Sequence, residues 1–165
     1  RRGQFEGLIE AGGKDSARRP DIGGPLIHPT AGACAVGARK FLVAYNIFFD
    51  SSDVAMVRSI AREIRAASGG LKGVKALGVL VNGRAQLTMN ITDFMVTPLS
   101  QVFSKAASLA ARYKAKPVEG EIIGLIPEAA CERESEWMRQ LVGFDAQAKI
   151  LERRLEAPLN WPGAE

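Results

Sequence analysis

The sequence predicts an α+β fold in which an antiparallel sheet carries helices on one face. Three observations lead to this prediction. Segments rich in β-branched and aromatic residues alternate with segments of helical periodicity, Asn82-Gly83 marks a tight hairpin, and residues 38–127 hold these elements in the order βαββαβ. The chain has 165 residues, 47% of them hydrophobic and 24% charged, which suits one globular domain and argues against disorder.

The first strand and helix are predicted from residue 41 onward. Residues 41–49 are rich in β-branched and aromatic side chains, as strands are. Ser51-Ser52-Asp53 supplies N-cap candidates for a helix whose apolar positions between Val57 and Ile64 follow helical spacing. Gly69-Gly70 is predicted to close this helix as its C-cap.

A hairpin and a second helix follow. Strands are predicted over Val74 to Val81 and Ala85 to Ile91, on either side of Asn82-Gly83. Thr97-Pro98 is predicted to start the second helix, with Thr as N-cap and Pro at the first position. A fourth strand over Glu119 to Ile126 completes a ferredoxin-like split βαβ unit.

Two further helices are predicted at the C-terminal side, over Glu128 to Leu141 and Asp145 to Leu155. A short helix near Phe5 to Ala11 is the most that the Gly- and Pro-rich beginning of the chain suggests. The predicted organisation is an N-terminal arm and loop at 1–36, the ferredoxin-like domain with its C-terminal helices at 37–156, and an irregular tail at 157–165.

Strand alternation assigns residues to the two faces of the sheet. The face predicted to pack under the helices carries apolar side chains: Val43, Tyr45, Ile47, Phe49, Leu87, Met89 and Ile91. The opposite face carries amides and hydroxyls beside a few apolar groups: Leu42, Ala44, Asn46, Phe48, Gln86, Thr88, Asn90 and Thr92. Such a face is either simply solvated, as in many antiparallel sheets, or it binds a ligand or another domain.

Several function classes are disfavoured by composition. The net charge of +4 is too weak and too scattered to indicate nucleic-acid binding, and the predicted third strand has no aromatic residue on which a base could stack. No apolar run reaches the length of a membrane span. Cys34 and Cys131 are expected to be reduced thiols of a cytoplasmic protein, and with His28 as the only histidine no metal or Ser/His/Asp site is predicted.

Two loops offer candidate binding groups. His28 lies in a Gly- and Pro-rich loop, either as a surface residue or near a ligand. Residues 69–73 could offer backbone amides to an anion, or simply end the preceding helix. Arg39, Lys72 and Lys75 could attract ligand carboxylates, or could be ordinary surface charges.

Five stretches, in this order along the chain, resemble the glutamate formiminotransferase family. They are residues 2–8 (RGQFEGL), 29–46 (PTAGACAVGARKFLVAYN), 69–78 (GGLKGVKALG), 85–94 (AQLTMNITDF) and 120–127 (GEIIGLIP). The resemblance covers about residues 1 to 150 and points to the C-terminal subdomain of the formiminotransferase domain.

The resemblance implies a function. The family transfers a formimino group from N-formimino-L-glutamate to tetrahydrofolate, in histidine degradation and one-carbon metabolism. Its two ferredoxin-like subdomains face each other with folate between them. Folate contacts are implied for the loop Gly23, Gly24, Pro25, Leu26, Ile27, His28, Pro29, Thr30, Ala31 and Gly32 and for the loop Gly69, Gly70 and Leu71.

The family's catalytic histidine, a general acid/base, belongs to an N-terminal subdomain, and His28 does not match it. We therefore expect no catalytic residue in this chain, no activity of the chain alone, and a partnership with that subdomain. The alternative is a non-catalytic module that binds folate or another small anion and self-associates. Because the polar sheet face is partly apolar, self-association into a homo-oligomer is expected if the partner subdomain is missing.

Overall fold

The computed structural model describes residues 7, 14–24 and 26–156, and the chain divides into two units, residues 1–38 and 39–165. The second unit contains strands β1 (Val43–Phe49), β2 (Val74–Val81), β3 (Arg84–Ile91) and β4 (Pro117–Ile123), with helices α1 (Val54–Ile64) and α2 (Leu99–Ala111) between them. The strands form one antiparallel sheet in the order β2-β3-β1-β4. The predicted ferredoxin-like fold is thereby confirmed.

Local sequence signals set the start of α1 and the hairpin. The Asp53 carboxylate caps α1 by accepting hydrogen bonds from Ala55 N (2.8 Å) and Met56 N (3.0 Å). Asn82 and Gly83 have φ of 49° and 77°, as the predicted tight turn requires. The predicted C-cap of α1 is wrong, because the helix ends at Ile64. Gly69 instead caps the 3-10 turn over Ala66–Ser68 that follows the helix.

The start of α2 also differs from the prediction. The helix begins at Leu99 with Pro98 as its N-cap, and the Thr97 hydroxyl donates to Lys72 O (2.6 Å) instead of capping the helix. The free amide of Ser100 donates to Glu132 Oε2 (2.8 Å), and the Ser100 hydroxyl bonds to the other oxygen of the same carboxylate. A carboxylate 32 residues away in sequence therefore performs the capping that the sequence assigned to Thr97.

The C-terminal segment is less helical than predicted. In place of one helix over 128–141 the chain forms a 3-10 turn at Glu128–Ala130 and a short helix α3 (Glu136–Arg139), separated by Glu134 at φ 65°. The second predicted helix is divided into α4 (Ala146–Lys149) and α5 (Leu151–Glu156) by the extended residue Ile150. Both interruptions occur where the segment makes contacts with the sheet or with α2.

These contacts cover the outer edge of β4. Gly120 N donates to Gln140 O (2.8 Å) and Val142 N donates to Gly120 O (3.0 Å). Further along, Ile126 N donates to Lys149 O and Leu151 N donates to Ile126 O, each at 2.9 Å. The segment thus satisfies backbone groups that an edge strand would otherwise leave unpaired.

The core lies between the sheet and the helices. The seven strand residues predicted to face the helices are all 2% exposed or less, and they pack with Met56, Val57, Ile60, Ala61 and Ile64 of α1 and with the apolar residues of α2. Trp137 of α3 is also fully buried and meets the Tyr45 ring edge-on at 5.4 Å. In the described part of the chain, no helix is both long and apolar enough to cross a bilayer.

The first unit contains a 3-10 turn over Ser16–Arg18, which Asp15 caps by accepting from Ala17 N (3.0 Å). The helix predicted near residues 5–11, apart from Gly7, and the predicted tail at 157–165 lie outside the described residues.

Candidate functional site

Residues 28–32 of the first unit form a closed turn around the His28 ring. Gly32 N donates to His28 O (2.9 Å), and the ring atom Nδ1 accepts hydrogen bonds from Ala31 N (3.0 Å) and Thr30 N (3.3 Å). Because Nδ1 accepts, the neutral ring carries its proton on Nε2. His28 therefore holds the turn together with one nitrogen and keeps the other as a hydrogen-bond donor.

The loop around this turn presents backbone and small side chains. Among its described residues only Ile27 and Gly32 are partly buried, and Leu26 is 63% exposed. Pro25 lies outside the described residues. Gly32 has φ 69°, a conformation that a β-branched side chain rarely adopts, so the turn requires glycine there.

The second predicted loop, Gly69 to Leu71, is closed by its own hydrogen bonds in the second unit. The amides of Gly69, Gly70 and Leu71 donate to the carbonyls of Ala66, Arg65 and Ile64 at 3.0, 3.1 and 2.8 Å. A Cβ on Gly70 would collide with the backbone carbonyls of Glu63 and Ile64. The amides of residues 69–71 therefore cannot bind an anion without giving up these hydrogen bonds.

The same loop is anchored to residues 92–97. Gly73 O accepts from Thr92 N (2.8 Å) and from the Thr92 hydroxyl (2.9 Å), beside the bond from Thr97 to Lys72 O. Thr92, predicted for the polar face, thus uses its hydroxyl within the loop. Nearby, Lys40 donates to Asp93 Oδ2 (2.6 Å), and this hydrogen bond is the main cause that lowers the pKa of Asp93.

The sheet face opposite the helices, called the polar face below, carries a second set of candidate groups. Strand register places three rows of side chains across it: Lys75, Asn90, Ala44 and Ile123; Leu77, Thr88, Asn46 and Glu121; Val79, Gln86, Phe48 and Glu119. Asn46 and Gln86, in the middle strands, are only 8% and 6% exposed. The Asn46 amide is paired with Glu121, and the Gln86 amide is not fully buried, so both polar groups lie at the surface of this face.

The two carboxylates of β4 have different partners on this face. Glu119 Oε2 accepts from Arg84 Nη1 (2.8 Å), and the Arg84 guanidinium lies 4.7 Å from the centre of the Phe48 ring. Glu121 Oε2 accepts from Asn46 Nδ2 (3.1 Å). Neither glutamate nor Arg84 was predicted for the face, although alternation within residues 117–123 already separates Glu119, Glu121 and Ile123 from Val118, Gly120 and Ile122.

Tyr45 is a fully buried side chain of β1 on the helix face, paired in register with Ile122 of β4. Its hydroxyl makes no hydrogen bond to any described residue, and burial raises the pKa of Tyr45 well above the ordinary value, so the hydroxyl stays protonated. Because Tyr45 faces the helices, it cannot contribute to the polar face. In the described ranges, no group of three or more His, Cys, Asp or Glu side chains is placed to hold a metal ion.

Comparison with known proteins gives consistent matches. A family model for the formiminotransferase domain matches residues 44–152. The glutamate formimidoyltransferases of Thermoplasma acidophilum and Streptococcus pyogenes serotype M1 are each 40% identical to this chain, over 95% and 94% of it and over 52% of each relative. The formimidoyltransferase-cyclodeaminase of Sus scrofa is 33% identical over 85% of this chain and 28% of the relative. The chain therefore spans about half the length of the two formimidoyltransferases that it matches.

Proposed function

Since the chain belongs to the formiminotransferase domain family, we propose that it forms the folate-binding half of a glutamate formiminotransferase. The complete enzyme would transfer the formimino group of N-formimino-L-glutamate to tetrahydrofolate, linking histidine degradation to one-carbon metabolism. The names of the relatives support formimino transfer to or from glutamate, and the family resemblance supports tetrahydrofolate as the second substrate. The two free cysteines suit a reducing cytoplasm.

The reaction exchanges one carbon–nitrogen bond for another. A ring nitrogen of tetrahydrofolate attacks the formimino carbon, and a new C–N bond forms. The bond between that carbon and the glutamate nitrogen then breaks. A proton passes, overall, from the folate nitrogen to the leaving glutamate amine, so no oxidant or reductant is needed.

The observation that carries the folate-binding role is the construction of the two glycine loops. Each loop is closed by its own hydrogen bonds, and three glycines of the two loops, Gly23, Gly24 and Gly69, have open space where a side chain would lie. A flat pterin ring needs backbone that it can approach closely and that does not move on binding. We assign folate contacts to residues 23–32 and 69–71 on this basis and on the family resemblance.

This chain would position folate, and a partner subdomain would move the proton. Holding both substrates in a reactive geometry converts a bimolecular encounter into an effectively unimolecular step, which can supply much of the rate. We propose that the N-terminal formiminotransferase subdomain contributes the catalytic histidine. Homo-oligomerisation stays a prediction, supported by Leu77 and Ile123 of the polar face, which are 61% and 50% exposed.

Calorimetric titration of the chain with folinate, a stable folate, tests this role. Gly32→Val should weaken folinate binding about tenfold or more, because valine cannot adopt φ 69° and the turn around His28 must change. Gly37→Val is the matched control: Gly37 has open space around it and no positive φ. It should bind folinate like the wild type.

Two results would contradict the proposal. One is a wild-type chain that does not bind folinate at millimolar concentration. The other is equal folinate affinity for Gly32→Val and Gly37→Val. Circular dichroism of both variants confirms that any loss of binding is local to the loop.

A further inference from the structure

We propose that Glu121, together with the amides of Asn46 and Gln86, binds a planar amidine group on the polar face. The inference rests on the proposed function, since it identifies which part of a substrate this face receives. It uses only residues of the second unit.

The charge of Glu121 lacks a cationic partner. No Lys or Arg nitrogen of the described residues lies within 4 Å of its carboxylate, whereas Glu119, two residues earlier on the same face, is paired with Arg84 at 2.8 Å. Glu121 is only partly buried, and one of its oxygens accepts from Asn46, so the other oxygen is open to a further N–H donor. Glu119 is neutralised by Arg84, whereas Glu121 is not paired with a cation. Glu121 is therefore the carboxylate of the two that can accept hydrogen bonds from a cationic ligand.

The orientation of the Asn46 amide determines which acceptor atoms a ligand would meet. A carboxylate only accepts hydrogen bonds, so the nitrogen of the Asn46 amide faces Glu121 and its oxygen Oδ1 faces away. Among the described residues, Oδ1 and the second oxygen of Glu121 accept no hydrogen bond. Two acceptors are thus left beside each other in the middle of the face.

Gln86 adds a second buried amide. It lies diagonally across from Asn46, directly opposite Phe48, and is 6% exposed. Its side chain makes no hydrogen bond to any described residue. Its amide nitrogen and oxygen are not fully buried, so the exposed part of the side chain is where a ligand on this face could reach it. A ligand on the polar face would provide its partner.

The chemistry that fits these acceptors is an N–C–N fork with N–H donors in one plane. Carboxylates bind such a fork with two parallel charge-assisted hydrogen bonds, as they bind the guanidinium of arginine. The formimino group of N-formimino-L-glutamate is an amidine, which is protonated at neutral pH. The ring N–H and amino group of a pterin form a similar, uncharged fork. Either source would place its N–H donors against Glu121 and Asn46.

Nuclear magnetic resonance can test the site with three probes: formamidinium chloride, N-formimino-L-glutamate and folinate. The side-chain amide signals of Asn46 and Gln86 should shift on titration with formamidinium and with at least one of the two substrates. Glu121→Gln should weaken the affected probes about tenfold or more, because it removes the charge and one acceptor. Glu119→Gln makes the same chemical change on the same face and should leave affinity within about twofold.

The substrate whose affinity falls in Glu121→Gln, together with that of formamidinium, shows which of the two groups occupies the site. Loss for N-formimino-L-glutamate identifies the formimino group as the occupant, and loss for folinate identifies the pterin. If no probe moves the Asn46 and Gln86 signals, or if Glu121→Gln and Glu119→Gln bind alike, the inference is wrong. Glutamine at position 121 can still accept the Asn46 bond, so the variant should fold. If it does not, Gln86→Leu tests the same site with Glu121 in place.

The same spectra separate this inference from the proposed function. Folinate that shifts the backbone signals of Gly69 to Leu71 but not the Asn46 and Gln86 amides would leave folate binding in place and remove the amidine site. If formamidinium shifts the Asn46 and Gln86 amide signals and folinate shifts no signal, the amidine site is supported and the proposed folate binding is not.

Discussion

Gln86 and Leu87 are neighbours in β3, yet they lie on opposite faces of the sheet and in different chemical surroundings. Leu87 is 0% exposed and packs in the core between the sheet and the helices. Gln86 is nearly as buried, at 6% exposed, but it is a polar group without a described hydrogen-bond partner. The comparison shows that the two faces of the sheet bury different kinds of side chain. One face uses burial for stability, and under our proposal the other face presents polar groups to a ligand.

The largest expected effect belongs to the core face. Leu87→Ala should lower the free energy of unfolding by about 2–5 kcal/mol, because it removes buried apolar contacts and leaves a cavity. Urea unfolding followed by circular dichroism measures this change. The folded fraction should bind folinate as the wild type does, and a change in its affinity would show that the two faces are not independent.

Gln86→Leu should show the opposite pattern. Replacing this amide, which has no described partner, with an apolar side chain of similar size should change the free energy of unfolding by less than about 1 kcal/mol, because no hydrogen bond within the described chain is lost. Formamidinium binding should fall severalfold, since the amide can no longer contact the ligand. A large loss of stability with unchanged binding would mean that Gln86 belongs to the core after all.

The smallest effect concerns the Lys40–Asp93 pair, next to the loop at residues 69–73. Because the folded state lowers the pKa of Asp93, this pair stabilises the protein at neutral pH. Its contribution begins to fade as the pH falls to the ordinary aspartate range, near about 4, and is lost below the lowered pKa. Lys40→Met should remove this part of the acid dependence, and the effect should be small because the Lys40 side chain is 69% exposed and solvent screens the pair.

Urea unfolding of the wild type and Lys40→Met at several pH values measures that difference. The two stability curves should lie closest together in acid and separate as the pH rises. Parallel curves across the whole range would show that Lys40 does not set the pKa of Asp93. Folinate and formamidinium should bind Lys40→Met as they bind the wild type.

The elements that the sequence predicted well depend on neighbours in the chain. Asp53 caps the helix that starts one residue later, and Asn82-Gly83 closes the hairpin between adjacent strands. Strand alternation likewise predicted the core face and the amides of Asn46 and Gln86 on the other face. Such signals span a few residues, so a sequence displays them directly.

The features that were missed depend on distant residues. Glu132 leaves the predicted third helix because it caps α2 and accepts from the Trp137 indole (3.0 Å), and Ile150 interrupts the fourth to pair with Ile126. The contrast between Glu119 and Glu121 requires the register of β4 against β1 and the position of Arg84, 35 residues before Glu119. Periodicity alone cannot supply these long-range pairings.

The central claim is that this chain is the folate-binding half of a formiminotransferase, and a chimera tests it most directly. In the Thermoplasma acidophilum relative, the part that matches this chain, 52% of that protein, is replaced by residues 1–165. Transfer from N-formimino-L-glutamate to tetrahydrofolate is then followed by mass spectrometry, with the intact relative as the positive control. The account predicts that the chimera forms formiminotetrahydrofolate. A chimera that folds and binds folinate but transfers nothing, while the relative is active, would contradict it and favour a non-catalytic folate-binding module.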